Sequence, residues 1–179
     1  MIGKFIKGRT YVFIDAANIL YSQQTLGWRV DYAKLKQYLA KECNLGAVYF
    51  YTGRIGIHHK QNAFIKKIEE LGYKTRTKEV KFIKISGGST IPKGNLDIEL
   101  ALDAFRLLEQ YDTLLLFSGD SDFAYLLDLL KEKKKNVLVA STRGHISKEL
   151  LDRAKYIDMR KLRDYIQKNQ EPDEPALEV

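Results

Sequence analysis

The sequence contains very little cysteine and proline. Cys43 is the single cysteine among 179 residues, and there are three prolines. One thiol excludes a disulfide framework and a cysteine-based metal site within the chain, and it is typical of proteins of the reducing cytoplasm. No stretch approaches the roughly 18 apolar residues that a membrane span requires, and the first 15 residues show no cleavable leader. We therefore expect a soluble, cytoplasmic protein with no membrane partner.

Two common nucleotide-binding motifs are also missing. Gly87 and Gly88 are not followed by the Gly-Lys-Ser/Thr of a phosphate-binding loop, and no G-x-G-x-x-G follows the first apolar run. These absences disfavour a P-loop protein and a dinucleotide-binding Rossmann domain. A phosphatase or another nucleotide-binding α/β protein stays open as an alternative.

The charge balance is basic. The chain has 30 lysines and arginines against 23 aspartates and glutamates, which gives a formal net charge of +7. Such an excess favours anionic partners, nucleic acid among them; the alternative is a solvated lysine-rich face. The length and composition predict one domain over residues 1–168, followed by an acidic, disordered tail over residues 169–179.

Short apolar runs alternate with helical patterns along the chain. Runs that are apolar at consecutive positions predict strands covered on both faces, at residues 11–14, 47–51, 113–117 and 136–140. Helices are predicted at residues 31–43, 60–71, 96–111, 122–133 and 147–154, the third of them buried over a wide face. Residues 74–85 predict an edge strand or hairpin, and residues 86–90 a flexible loop. The alternation predicts an α/β fold, with helices on both faces of a mainly parallel sheet.

Carboxylates follow two of the predicted strands. Asp15 ends the first, and Asp120 and Asp122 follow the run at residues 113–117. In open parallel sheets, ligands bind beyond the carboxyl ends of the strands near the point where the strand order reverses. If the two strands are neighbours, the three acids converge and provide oxygen ligands for Mg²⁺. Each acid alone is also explained as a helix N-cap.

Two further acids lie on the predicted helix 96–111. Asp97 is near its N-terminus, where the helix dipole alone would favour a negative charge. Asp103 is a secondary candidate, about 120° from Asp97 around the helix, and it is equally well explained by pairing with a basic side chain. Glu99 is a fallback ligand.

Three segments resemble the NYN domain family, a PIN-like group that includes the LabA proteins. They are Val12–Asn18 (VFIDAAN), Lys93–Asp97 (KGNLD) with Leu100–Ala104 (LALDA), and Phe117–Phe123 (FSGDSDF). Order and spacing agree over residues 9 to 160, and the third segment is the most specific. One departure is that two residues, Asn95 and Leu96, separate Gly94 from Asp97, where the family commonly has one.

The resemblance implies a PIN-like three-layer αβα sandwich with a nuclease site that depends on Mg²⁺ or Mn²⁺ and acts on RNA, single-stranded or structured. Under it, Asp15, Asp97, Asp120 and Asp122 are the catalytic, metal-binding acids, and Asn18 and Ser118 support them or contact substrate. PIN-like relatives often pair, so a homodimer is open. A catalytically silent PIN-like module that binds RNA or protein is the alternative function.

Substrate contacts are predicted from cations and aromatic residues near the acids. Lys93, Arg54 and Arg143 are the candidate phosphate-binding cations. Three aromatic residues could stack on unpaired bases or belong to the core: Tyr21, Trp28 and Tyr51. The three histidines, His58, His59 and His145, have no identifiable partners, and none is predicted to be catalytic.

Overall fold

The computed structural model describes residues 1–56, 58–84 and 89–169. Eight strands are present in these residues: β1 (Arg9–Asp15), β2 (Asn44–Arg54), β3 (Lys74–Glu79), β4 (Lys81–Lys84), β5 (Thr90–Lys93), β6 (Thr113–Phe117), β7 (Asn136–Ser141) and β8 (Lys155–Asp158). Seven α-helices accompany them: α1 (Ala16–Leu26), α2 (Tyr32–Glu42), α3 (His59–Glu70), α4 (Asp97–Arg106), α5 (Ala124–Glu132), α6 (Lys148–Leu151) and α7 (Arg163–Ile166).

Six strands form one parallel sheet in the order β3-β2-β1-β6-β7-β8. From β1 the chain adds β2 and β3 on one side, then returns to add β6, β7 and β8 on the other. The strand order therefore reverses between β1 and β6. These two strands are neighbours, with Ile14 opposite Phe117 at their carboxyl ends.

Alternate residues along the strands supply two separate cores. On one face, Val12 and Ile14 of β1 belong to a buried cluster that includes residues from α1, α2, α3 and α7. On the other face, Tyr11 and Phe13 belong to a cluster with residues from α4, α5 and α6. Burial on both faces explains the uninterrupted apolar runs of the strands. The predicted three-layer αβα sandwich is confirmed.

The structure confirms some of the predicted helix ends and strands and adds elements that were not predicted. The side chain of Asp31 caps α2 as expected, and Gly72 follows α3 with a φ of 78°. The segment predicted as an edge strand or hairpin contains both: β3 is the edge of the main sheet, and β4 pairs antiparallel with β5. Helix α1 and the short edge strand β8 were not predicted, because each buries few apolar side chains.

The helix predicted at residues 96–111 is shorter and less buried than expected. It ends at Arg106, and its side chains Ile98, Leu102 and Phe105 are exposed, while Leu100 is buried. A helix in an outer layer covers the sheet with only one stripe, so its other face meets solvent. The wide buried face predicted from sequence is therefore wrong. The predicted loop at residues 86–90 lies outside the described residues except for Ser89 and Thr90, as does the predicted tail beyond Asn169.

Candidate metal centre

Three carboxylates converge at the carboxyl edge of the sheet where the strand order reverses. One oxygen from each of Asp97, Asp120 and Asp122 lies within 4.8 Å of the others. Asp97 is the first residue of α4; after β6, Asp120 precedes and Asp122 lies within a short 3-10 turn, Ser121–Phe123. Helix α4 packs close to β1 and to this turn, which brings Asp97 to the same edge. Tertiary packing therefore assembles acids more than 20 residues apart in sequence.

Asp97 is the most strongly perturbed acid of the group. Partial burial, together with the negative charges of Asp15, Asp120 and Asp122, raises its pKa to about 6. A hydrogen bond from Asn95 Nδ2 to Asp97 Oδ2, 2.7 Å long, partly offsets this rise. Clustered carboxylates repel one another when no cation lies between them. The loop Gly94–Leu96 absorbs the extra residue that separates this chain from the common family spacing, because Asp97 still reaches the cluster.

Asp15 lies beside the cluster with its carboxylate oxygens held by neighbouring groups. It caps α1 by accepting a hydrogen bond from the Asn18 backbone N–H at 3.2 Å, and it accepts another from Ser118 Oγ at 3.0 Å. Burial raises its pKa against the lowering effect of these bonds, and the charge of Asp120 raises it further. The sequence predicted that Asp15, Asp120 and Asp122 converge. In the structure, the three carboxylate oxygens that lie within 4.8 Å of one another belong to Asp97, Asp120 and Asp122.

Hydrogen bonds of Asn18 and Ser118 join the end of β1 and the start of α1 to the loop after β6. Asn18 Oδ1 accepts a hydrogen bond from the Gly119 backbone N–H at 2.9 Å, and Ser118 Oγ accepts one from the Asp120 N–H at 3.2 Å. Asp120 in turn accepts from the Asp122 N–H at 3.0 Å, so Asp120, not Asp122, caps the turn. These bonds fix the two loop acids relative to β1.

Gly119 permits a close approach that sequence reasoning missed. A Cβ atom at this position would lie 1.7 Å from the His145 carbonyl oxygen. The Gly119 carbonyl accepts a hydrogen bond from the Ser147 N–H at 2.9 Å, and His145 Nε2 lies 2.6 Å from Thr25 Oγ1 of α1. The segment after β7 therefore packs directly on the acidic loop. In the sequence, the signal for this close approach was the glycine between Ser118 and Asp120.

Two predicted acids belong to other contacts. Asp103 accepts hydrogen bonds from Arg76, Arg106 and Tyr51, and its side chain is 13% exposed. Although burial alone would raise its pKa, these bonds hold the pKa below the usual value. Glu99 forms an ion pair with Lys78 at 2.7 Å. Both side chains join α4 to β3 and lie outside the group formed by Asp97, Asp120 and Asp122. For Asp103, the alternative of pairing with basic side chains is therefore confirmed.

The three predicted cations lie at or just after the carboxyl ends of strands. Arg54 ends β2, Lys93 ends β5 and Arg143 follows β7, and all three are exposed. Within residues 1–56, 58–84 and 89–169, no acidic side chain forms an ion pair with any of them. Contact of these cations with an anionic ligand stays a prediction.

The candidate stacking residues separate into core and surface. Trp28 and Tyr51 are buried in the two cores, so stacking on bases is wrong for both. Tyr21 on α1 is 65% exposed and stays a candidate. Among the histidines, His58 caps α3 by accepting from the Gln61 N–H.

This fold, with acids at the switch point of a parallel sheet, places the protein in the PIN-like α/β class. The chain belongs to the NYN domain family, since the family model of the NYN domain matches residues 9–166. That family is part of the PIN-like nuclease superfamily. Over 174 residues the chain is 37% identical to the "low amplitude and bright protein LabA" of Synechococcus elongatus, covering 94% of this chain and 93% of that protein.

Two solved structures share the architecture to different degrees. A protein of unknown function from Vibrio parahaemolyticus has a TM-score of 0.71 and 24% identity, over 89% of this chain and 96% of that chain. This likeness shows the fold. The T5 D15 protein, co-crystallised with metal ions, has a TM-score of 0.44 and 14% identity, over 88% of this chain and 60% of that chain, too distant to support further argument. Within the described residues, no helix is long and apolar enough to cross a membrane.

Proposed function

We propose that the protein is a metal-dependent ribonuclease that hydrolyses RNA phosphodiester bonds at the carboxylate cluster. The observation that carries the proposal is the convergence of Asp97, Asp120 and Asp122 at the switch point of the sheet. Partial burial and the negative charges of Asp15, Asp120 and Asp122 raise the pKa of Asp97 to about 6, and a bound cation would relieve the repulsion among these charges. Membership of the NYN family supports the same activity.

The donor set fits Mg²⁺ or Mn²⁺. Both are hard cations that take oxygen ligands, and Mg²⁺ is commonly held by a few carboxylates together with water and substrate phosphate. Octahedral coordination at about 2.1 Å places ligand oxygens about 3 to 4.2 Å apart. The three carboxylate oxygens, within 4.8 Å of one another, need only a small contraction to reach that spacing.

Some acids of the site would bind the cation, and Asp15 positions the acids of the loop. When bound, a divalent cation lowers the pKa of a water molecule and offsets the charge that develops on the phosphate. Asp97, Asp120 and Asp122 would hold it, and because Asp97 is partly protonated near pH 6, binding there displaces a proton. Asp15 positions the loop acids through Ser118, whose hydroxyl contacts both the Asp15 carboxylate and the Asp120 N–H.

RNA is the proposed substrate because the chain is basic and three exposed cations at or just after strand ends have no acidic partner in the described residues. Arg54 and Lys93 are exposed at the ends of β2 and β5, and Arg143 is exposed just after β7. The net charge of +7 favours a polyanion, and such contacts weaken as the salt concentration rises.

A cleavage assay tests the proposal. Labelled single-stranded RNA, structured RNA and DNA are incubated with the protein in Mg²⁺, in Mn²⁺ and in EDTA. We expect RNA cleavage that requires the cation and is lost in Asp97→Asn and Asp120→Asn. Asp128→Asn is the matched control, because Asp128 pairs with Arg153 on the outer face of α5 and has no contact with the cluster.

The controls distinguish catalysis from a contaminating nuclease. If wild type, Asp97→Asn and Asp120→Asn show the same trace activity, the catalytic assignment is wrong and an RNA- or protein-binding module is favoured. Crystals soaked in Mn²⁺ give an independent readout, since anomalous density between the three carboxylates is expected in wild type and not in Asp120→Asn.

A further inference from the structure

Strands β4 and β5 form a two-stranded ribbon that lies outside the main sheet. All four side chains of β4 are exposed, including two large apolar ones, Phe82 at 55% and Ile83 at 47%, and so are Thr90 and Lys93 at the two ends of β5. An isolated two-stranded ribbon has marginal stability in water, and exposed apolar side chains add nothing to it. An apolar and basic ribbon of this kind is suited to contact with a ligand.

The ribbon carries a cross-strand pair of like charges. Lys81 of β4 lies directly opposite Lys93 of β5, and Lys84 lies opposite Thr90. Residues directly opposite on an antiparallel pair have Cβ atoms about 5 Å apart, and like charges at that spacing are unfavourable. In the described part of the chain, no acidic side chain forms an ion pair with these three lysines.

The cations of β3, the strand that precedes the ribbon in sequence, are paired with acids. On β3, Arg76 is paired with Asp103 and Lys78 with Glu99, both acids of α4. Those cations join the edge strand to the helix that carries Asp97. The ribbon lysines come after β3 in sequence, and among the described residues no acid pairs with them, so their charge is available to a ligand.

The base of the ribbon is held close to the carboxylate cluster. Cβ atoms added to Gly53 or to Gly94 would each lie 2.7 Å from Val80 Cγ2, which shows how tightly the ribbon's base packs on the end of β2. The Val80 N–H also donates to the Arg54 carbonyl oxygen at 2.8 Å. Lys93 precedes Asp97 by four residues, a span of at most about 14 Å.

We propose that this ribbon binds single-stranded RNA and leads it to the carboxylate cluster, with Lys81 and Lys93 neutralising backbone phosphates. The inference rests on the proposed ribonuclease function and names the contact that delivers its substrate. A phosphate between the two lysines turns their repulsion into attraction. The exposed ring of Phe82 favours unpaired bases, because stacking on an aromatic side chain requires a base free of its own stack.

The test measures binding separately from cleavage. Fluorescence anisotropy of a labelled, unstructured RNA oligonucleotide is recorded over a series of KCl concentrations, in Mg²⁺, with every protein carrying Asp120→Asn. The test variant is K81E/K93E. The matched control is K131E/K133E, which makes the same change in net charge at exposed lysines near the end of α5, at the opposite edge of the sheet.

We expect K81E/K93E to bind RNA at least about tenfold more weakly than the control, with a salt dependence reduced by about 1.4 in log–log slope for two lost phosphate contacts. Phe82→Ala is expected to weaken binding about tenfold while the slope is unchanged. With Asp120 restored, K81E/K93E should raise KM for cleavage and leave kcat within about twofold, since the carboxylates are intact. Thermal unfolding of each variant verifies that the exposed substitutions preserve the fold.

The outcomes separate the ribbon from the nuclease. If K81E/K93E binds like K131E/K133E while wild type cleaves RNA, the ribbon assignment is overturned and the ribonuclease stands. If K81E/K93E loses binding and wild type cleaves nothing, the ribbon is supported and the nuclease fails. If the protein with Asp120→Asn alone does not bind RNA and wild type cleaves none, both are overturned.

Discussion

Replacing Asp97 with asparagine should stabilise the metal-free protein even though it removes cleavage. The pKa of Asp97 is raised to about 6 by partial burial and by three neighbouring carboxylates. A group whose pKa is higher in the folded than in the unfolded state contributes stability at low pH and loses it as the pH rises through the folded value. The metal-free protein should therefore lose stability between about pH 4 and pH 6 because of this residue.

The size of the effect follows from the shift. A rise from 3.8 to about 6 corresponds to about 3 kcal/mol for a fully shielded group, and solvent screening at this partly exposed carboxylate reduces it to about 1–2 kcal/mol. Asp97→Asn removes that cost at pH 8 and changes little at pH 4. For a chain of this size the gain corresponds to a rise in Tm of about 2–8 °C.

Denaturant unfolding in EDTA at pH 4, 6 and 8 measures the change in the free energy of unfolding. Asp103→Asn is the control, because it is expected to change this free energy in the opposite direction. Asp103 lies on the same helix, but hydrogen bonds from Arg106, Arg76 and Tyr51 lower its pKa despite its burial. Its ionised form stabilises the fold at neutral pH, so Asp103→Asn should lower stability at pH 8. Added Mg²⁺ should stabilise wild type and not Asp97→Asn. A loss of stability in Asp97→Asn at pH 8, as large as that in Asp103→Asn, would refute electrostatic strain at the cluster.

Two further predictions concern packing. Leu100→Ala should lower the free energy of unfolding in denaturant by about 2–5 kcal/mol, because Leu100 is 1% exposed in the core. Leu102→Ala on the same helix should lower it by less than about 0.5 kcal/mol, because Leu102 is 65% exposed. Equal losses in the two variants would contradict the orientation of α4. Gly119→Ala should displace the segment after β7, because its Cβ would lie 1.7 Å from the His145 carbonyl oxygen. The variant should lose RNA cleavage and the rise in Tm that Mg²⁺ gives to wild type; a fully active variant would contradict that packing.

Local pattern was sufficient for much of the fold. Uninterrupted apolar runs identified the four central strands, because a strand covered on both faces needs apolar side chains at every position. Asp31 and Gly72 marked ends of α2 and α3 through cap preferences that are properties of single residues. The short edge strand β8 and helix α1 escaped prediction, because elements that bury few side chains leave little periodic signal.

The composition of the site was readable from sequence, but its geometry was not. The motif around Asp120 and Asp122, the end of β1 at Asp15 and the start of α4 at Asp97 all identified acids that the structure brings to one edge of the sheet. The sequence alone made Asp15 part of the closest trio and left Asp103 as a candidate.

Only the tertiary structure decided which acids act together. Packing of α4 brings Asp97 to the loop after β6, whereas hydrogen bonds from Asn18 and Ser118 hold Asp15 beside the cluster. Packing of α4 on the edge strand places Asp103 between Arg76 and Arg106. Residue types and strand ends follow from local physical chemistry, but distances between carboxylates depend on contacts among segments far apart in the chain. The sequence by itself therefore determined the chemistry available to this protein, and the packing of α4 against the sheet determined where that chemistry is assembled.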